Sequence, residues 1–91
     1  MRAPCVSVVV AVHNGQRYLE ASLASILRQS FGDFELIVVD DGSTDRTLEI
    51  LSRLSDADSR IQVIRQERRG QTASLIRAMR VARGAYLARQ D

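Results

Sequence analysis

Apolar residues in this chain follow two rhythms. Val6–Val12 is a nearly unbroken β-branched run, V-S-V-V-V-A-V, the pattern of a strand covered on both faces in a helix-flanked parallel sheet. Asn14-Gly15 breaks it, and Leu19, Leu23, Ile26 and Leu27 then recur at the spacing of one helical face, which predicts a helix over 16–29. Residues 34–40 repeat the character of the first strand. Gly42 closes that run, Ser43 or Thr44 stands where a cap is wanted, and Asp45 falls in the first turn of a helix carrying Leu48, Leu51 and Leu54 and ending near Ser55. Ile61, Val63 and Ile64 make a shorter strand, whose polar neighbours suit the edge of a sheet. Gly70 and Thr72 open a third helix with Leu75, Ile76, Met79 and Ala82 expected inward, and Gly84 stands where a left-handed cap would end it. Residues 85–89 read as a fourth strand.

The order β-α-β-α-β-α-β predicts an α/β fold, a Rossmann-like open parallel sheet with helices on both faces, because right-handed crossovers place successive helices over the sheet. Ninety-one residues suffice for one domain and not for two. A doubly wound unit normally covers its last strand with more chain, so the expectation is one domain over 1–91 that forms the amino-terminal part of a larger one.

Composition removes several functions. All 13 basic residues are arginine, which excludes the phosphate-loop lysine, the Schiff base and the lysine of a phosphoreceiver. One Cys and one His provide neither a disulfide nor a zinc set, and lone Cys5 fits a reducing, cytoplasmic compartment. No run approaches the roughly 20 apolar residues of a membrane span. The net charge of +2 is too small for a dedicated nucleic-acid binder. It hides a split, however: residues 1–59 hold five Arg against nine acids, and 60–91 hold eight Arg against two.

In an open parallel sheet, ligands bind beyond the carboxyl ends of the strands, where strand order reverses. Strand one ends in His13-Asn14, strand two in Asp40-Asp41-Gly42-Ser43, and strand four in Asp91. If strand one lies between strands two and four, these groups surround one crevice. Convergent carboxylates without a lysine point to phosphate handled through a divalent cation. Each residue also has a plainer reading: Asp41 to Asp45 as a turn and cap, Asn14-Gly15 as a turn, His13 as a structural imidazole. Asp40 beside Asp41 exceeds what one cap requires. Arg77, Arg80 and Arg83 read mainly as a solvated helix face, with Arg77 the one placed to reach a phosphate. The turn after strand one lacks the glycine spacing of a dinucleotide fingerprint, and no G-x-x-x-x-G-K-[ST] occurs.

The stretch V-S-V-V-V-A-V-H-N-G, the run S-I-L-R-Q-S-F-G-D-F-E-L-I-V-V-D-D-G-S-T-D and the segments R-I-Q-V-I-R-Q-E-R-R-G and A-R-G-A-Y-L-A-R-Q-D together resemble the amino-terminal half of family 2 glycosyltransferases. The resemblance implies the first half of a GT-A fold, binding a nucleoside-diphosphate sugar, a UDP-sugar first, with Mg2+ or Mn2+. It implies inverting transfer to an acceptor hydroxyl and a place in cell-surface polysaccharide biosynthesis. Ala11, Val12 and His13 match the segment around the base, with Asn14 next to it; Asp41 matches the carboxylate that bonds the base, and Asp40 its neighbour that fixes the loop. Asp91 matches the first position of the family's Asp-x-Asp stretch, and so a metal ligand. Where the family often has Asn and Gly around Arg77, this chain has Ile76 and Ala78, so of that helix only Arg77 is carried over. The general base, the acceptor site and any attachment to the inner face of the membrane would lie outside these residues.

Two other readings compete. A nucleotidyltransferase would use a similar sheet and metal, but its Gly-rich loop after strand one is missing. A non-catalytic interaction or regulatory module would use the acids as caps and the arginine face for an acidic partner. Neither acceptor nor oligomeric state is legible.

Overall fold

The computed structural model describes residues 4, 6–28, 33–84 and 86–90. Strands β1 (Val6–Val12), β2 (Phe34–Asp41), β3 (Ile61–Gln66) and β4 (Tyr86–Gln90) alternate with helices α1 (Leu19–Leu27), α2 (Thr47–Ala57) and α3 (Gln71–Val81). All strands are parallel, in the order β3-β2-β1-β4, so β1 does lie between β2 and β4 and β3 does form an edge. Register places Val12 opposite Asp40 and Asp41 opposite Gln66, bringing the polar strand ends level.

Every residue of β2 is buried, as a strand covered on both sides requires. Because side chains alternate across the sheet, Val8, Val10, Val12, Leu36 and Val38 face α1 and α2, where Leu19, Leu23, Ile26 and Leu51 complete one core. Val9, Ile37 and Val39 face the other way and meet Leu75 and Ala78 of α3. Among the described residues, no helix is long and apolar enough to cross a membrane.

Local outcomes differ from the sequence reading in four places. Helix α1 begins only at Leu19, because residues 16–18 form a turn in which the Tyr18 and Leu19 N–H groups donate to the Gly15 carbonyl. Neither Ser43 nor Thr44 caps α2: Asp45 accepts from the Thr47 N–H at 2.9 Å, and the helix starts later. On α3 the inward stripe is Ser74, Leu75, Ala78 and Ala82, while Ile76 and Met79 point outward at 43% exposure each. Small residues at positions 74 and 78 bring the helix close to the sheet, which turns its bulkier neighbours to the flanks. Gly84 is no left-handed cap, since α3 ends at Ala82 in extended backbone.

Gly84 instead lies against β1, its N–H donating to Ser7 Oγ at 2.8 Å. The Ser7 hydroxyl donates to Glu35 Oε2 at 2.6 Å, and the same oxygen accepts from the Arg83 N–H at 2.6 Å. Burial pushes the Glu35 carboxyl up, but the Ser7 hydroxyl and the Arg83 N–H and guanidinium outweigh it and hold it below its usual value. A depressed carboxylate stabilises the fold above its unfolded pKa, and that contribution is lost as pH falls through the folded one. Thermal melts of Glu35→Gln at about pH 7 and about pH 3 should therefore start lower than wild type and fall less steeply with acid.

Candidate functional site

At the carboxyl edge, on the α3 face of the sheet, Ala11, Val12, His13, Asp41, Arg68 and Gln71 line a crevice of about 200 Å3. Alternation puts Ala11 of β1, His13 just beyond its end and Asp41 of β2 on that face, and the β3–α3 loop closes over them. The loop can approach because Gly42 turns with φ +66°; a Cβ there would stand 2.7 Å from the Arg68 N atom.

Asp41 is the best-held group of the crevice. Its Oδ1 accepts from Gln66 Nε2 at 3.0 Å and the Arg69 N–H at 2.7 Å, and its Oδ2 from the Gly70 N–H at 2.9 Å. Burial raises its pKa, yet the Gln66 amide, the Arg69 and Gly70 N–H groups and the Arg68 charge together hold it below the usual carboxylate range. It is therefore ionised at neutral pH. A carboxylate has about four acceptor positions, so the three donors among the described residues leave one open on the Oδ2 side. His13 Nδ1 lies 2.8 Å from the Asp41 carbonyl oxygen, which can only accept. A proton therefore sits on Nδ1.

The other expected residues fall elsewhere. Asp40 points to the opposite face, fully buried; its Oδ1 accepts from the Ser43 N–H at 3.3 Å, and its Oδ2 has no partner among the described residues. Asn14, at φ 51°, joins two loops: its N–H donates to Ser43 Oγ at 2.9 Å and its Oδ1 accepts from the Thr44 N–H at 2.9 Å. The same seam continues from the Gly15 N–H to Thr47 Oγ1, from the Gln16 N–H to Asp45 Oδ2, and back from the Arg46 N–H to Gln16 Oε1. Arg77 is outside the crevice; its Nη1 donates to Gln66 Oε1 at 3.3 Å, in a separate groove with Arg69 and Arg80. Asp91 lies outside the described residues.

Gln66, Arg68 and Gln71 were not anticipated. The available signal was register: aligning the strand ends sets Gln66 beside Asp41. A larger groove lined by Gln16, Arg46, Glu49, Ile50 and Arg53 offers less, since its charges are already paired, Arg46 with Glu49 and Arg53 with Glu20.

The described residues do not themselves fit a divalent cation. No three His, Cys, Asp or Glu residues among them converge, Asp41 is committed to N–H donors beside Arg68, and Asp40 is sealed on the far face.

Residues 7–91 match the family described as glycosyl transferase family 2. An uncharacterized glycosyltransferase of Haemophilus influenzae is 39% identical over 89 residues, which are 97% of this chain and 28% of that protein. A putative teichuronic acid biosynthesis glycosyltransferase of Bacillus subtilis is 38% identical over 97% of this chain and 35% of its own length. The chain thus spans between about an eighth and a third of the length of the curated relatives it matches. Among solved structures, S. aureus TarS 1–349 in complex with UDP-GlcNAc superposes with a TM-score of 0.87 at 31% identity, over 96% of this chain and 26% of that one. A mannosyltransferase from Pyrobaculum calidifontis, in complex with GDP-Man and Mn2+, gives 0.79 at 30% identity over 90% of this chain and 25% of its own. The parallel sheet described above is accordingly part of a GT-A fold. By a match that runs along nearly its whole length, the chain belongs to glycosyl transferase family 2.

Proposed function

We propose that the crevice holds the base of a nucleoside-diphosphate sugar, and that this chain supplies the donor-binding part of a glycosyltransferase acting in polysaccharide biosynthesis. The observation that carries the reading is the open acceptor position on ionised Asp41, at a crevice walled by Ala11, Val12 and His13. An acceptor that meets the ring nitrogen of the base's pairing edge, as the reading requires, selects a base with a ring N–H. Uracil and guanine present one, whereas cytosine and adenine present a bare ring nitrogen, whose lone pair would face the carboxylate. The solved relatives bound to UDP-GlcNAc and to GDP-Man fit that selection. A UDP-sugar is the first candidate, as the resemblance implies.

In this reading His13 flanks the base, while Asp40 and Asn14 act through the loops that shape the crevice. Arg77 acts through Gln66. The reading includes transfer of the sugar to an acceptor hydroxyl with inversion, as the resemblance implies, and assigns that step to no residue described here. A divalent cation, Mg2+ or Mn2+, would need ligands beyond the described residues, with Asp91 the position to test.

Calorimetric titration of the chain with UDP, GDP, CDP and ADP tests the reading. UDP or GDP should bind at least about tenfold more tightly than CDP and ADP, the worth of one hydrogen bond to a charged group. Equal binding of all four, or of none by a folded chain, would favour the interaction-module alternative.

A further inference from the structure

Resting on that donor-site reading, we propose that Gln66 is a positioning residue for base selection: its amide, braced by Arg77 and Ser74, fixes the Asp41 carboxylate in the orientation that presents a bare acceptor to the base. Gln66 is buried at the end of β3, directly beside Asp41 in register. Its Nε2 reaches Asp41 Oδ1 at 3.0 Å and Ser74 Oγ at 2.9 Å, and its Oε1 accepts from Arg77 Nη1 at 3.3 Å. Chemistry alone fixes which way the amide points. A carboxylate can only accept and a guanidinium can only donate, so the NH2 must face Asp41 and the oxygen must face Arg77. Ser74 completes the brace by donating its own hydroxyl to the Gly70 carbonyl at 2.8 Å, which holds the residue whose N–H meets Asp41 Oδ2.

Each neighbour therefore constrains the next. Arg77 is exposed on α3, but by holding the Gln66 oxygen it keeps both amide hydrogens directed inward, one at Asp41 and one at Ser74. With Oδ1 satisfied by Gln66 and the Arg69 N–H, the carboxylate cannot rotate without giving up two donors. The free position then stays on Oδ2, toward the crevice. This explains why the arginine on α3 affects the site without lining it, and why a neutral amide ends β3 where an acid would repel Asp41.

The test is the base panel repeated across a range of acid pH with Gln66→Leu, which removes the amide at similar volume, and with Arg77→Met, an exposed change that spares the packing. His13 at the end of β1, Arg68 and Arg69 in the β3–α3 loop, and Arg77 on α3 surround Asp41, with Asp40 on the far face. Gln66→Leu leaves all of these in place, so a moved acid limb in that variant reports Asp41. Gln66→Leu should bind the preferred diphosphate about tenfold more weakly, as expected for losing one hydrogen bond to a charged group. Its binding should also fail at a higher pH than wild type, and its discrimination against CDP should shrink, because a carboxyl that protonates more readily can donate to the bare ring nitrogen of cytosine. Arg77→Met should move affinity and discrimination the same way by a smaller factor. Loss of affinity with an unmoved pH profile and unmoved base ranking would reduce Gln66 to a packing role and overturn the inference. If Gln66→Leu does not fold, an Arg77→Met variant indistinguishable from wild type overturns it equally. Failure of wild type to bind any of the four diphosphates would instead sink the donor-site reading, and this one with it.

Discussion

Asp41→Asn should sharply weaken binding of the preferred nucleoside diphosphate and improve the standing of CDP by more than Gln66→Leu or Arg77→Met does. The substitution keeps the shape and removes one acceptor. Two donors, Gln66 Nε2 and the Arg69 N–H, meet Oδ1, while only the Gly70 N–H meets Oδ2, so the amide oxygen settles at the Oδ1 place. The new NH2 then faces the Gly70 N–H and the crevice. A ring N–H of uracil or guanine would meet a donor, and the loss should reach about a hundredfold, or roughly 2.7 kcal/mol. Cytosine, with its ring nitrogen bare, would find a partner. Calorimetry with the base panel reads both effects at once, and unchanged UDP and GDP affinity would remove Asp41 from the site. The same change opposes two N–H groups at Gly70, so the fold should lose about 1–3 kcal/mol, and with it the part of its acid sensitivity that comes from Asp41.

Gly84→Ala is expected to be the most damaging single methyl in the chain. Its Cβ would stand 2.5 Å from the Ser7 N atom and 2.7 Å from both Ser7 Oγ and the Val6 carbonyl carbon. These are largely backbone atoms of β1, a strand paired on both sides, so no side chain can swing away to relieve the contact. Separation would also break the bond from the Gly84 N–H to Ser7 Oγ and disturb the hydroxyl that serves buried Glu35. Overpacking and a lost buried hydrogen bond together should cost about 3 kcal/mol. For a domain of this size that lowers the melting temperature by roughly 12–24 °C. A melt within about 4 °C of wild type would show that the β1 backbone yields, which a sheet centre is not expected to do.

Much of the fold was legible because parallel strands buried on both faces leave an unmistakable residue pattern. The β-branched run of β1 and the fully apolar centre of β2 could be nothing else, and β3 announced its edge position through Gln62 and Arg65. What the pattern could not give was helix rotation. Ile76 and Met79 look like core residues, and only Gln66 bonding to Ser74 reveals that the polar Ser74 turns inward. Gly84 misled for a related reason: a glycine after a helix fits a cap and a close approach equally well, and β1 decides between them.

The site divided along similar lines. Ala11, Val12, His13 and Asp41 come together because strand ends and side-chain alternation are sequence properties. Asp40 and Asp41 look equivalent in the chain, yet adjacent strand residues must face opposite ways, and only Asp41 reaches the crevice. Arg77 was legible as unusual but not as indirect, since its partner Gln66 is distant in the chain and chemically plain. Arg68 comes from a loop, and Gln71 from the first position of the helix that follows it; the loop's path is set by Gly42 and Asp41, interactions that no local pattern encodes.

The seam between residues 14–16 and 43–47 has a consequence for loop exchange. Backbone N–H groups of each loop end on side chains of the other: Asn14 on Ser43, Gly15 on Thr47, and Gln16 on Asp45 one way, Thr44 on Asn14 and Arg46 on Gln16 the other. Neither loop can drift in length or composition by itself without stranding donors in its partner. A chimera that exchanges one of these loops with that of another protein is therefore expected to need both.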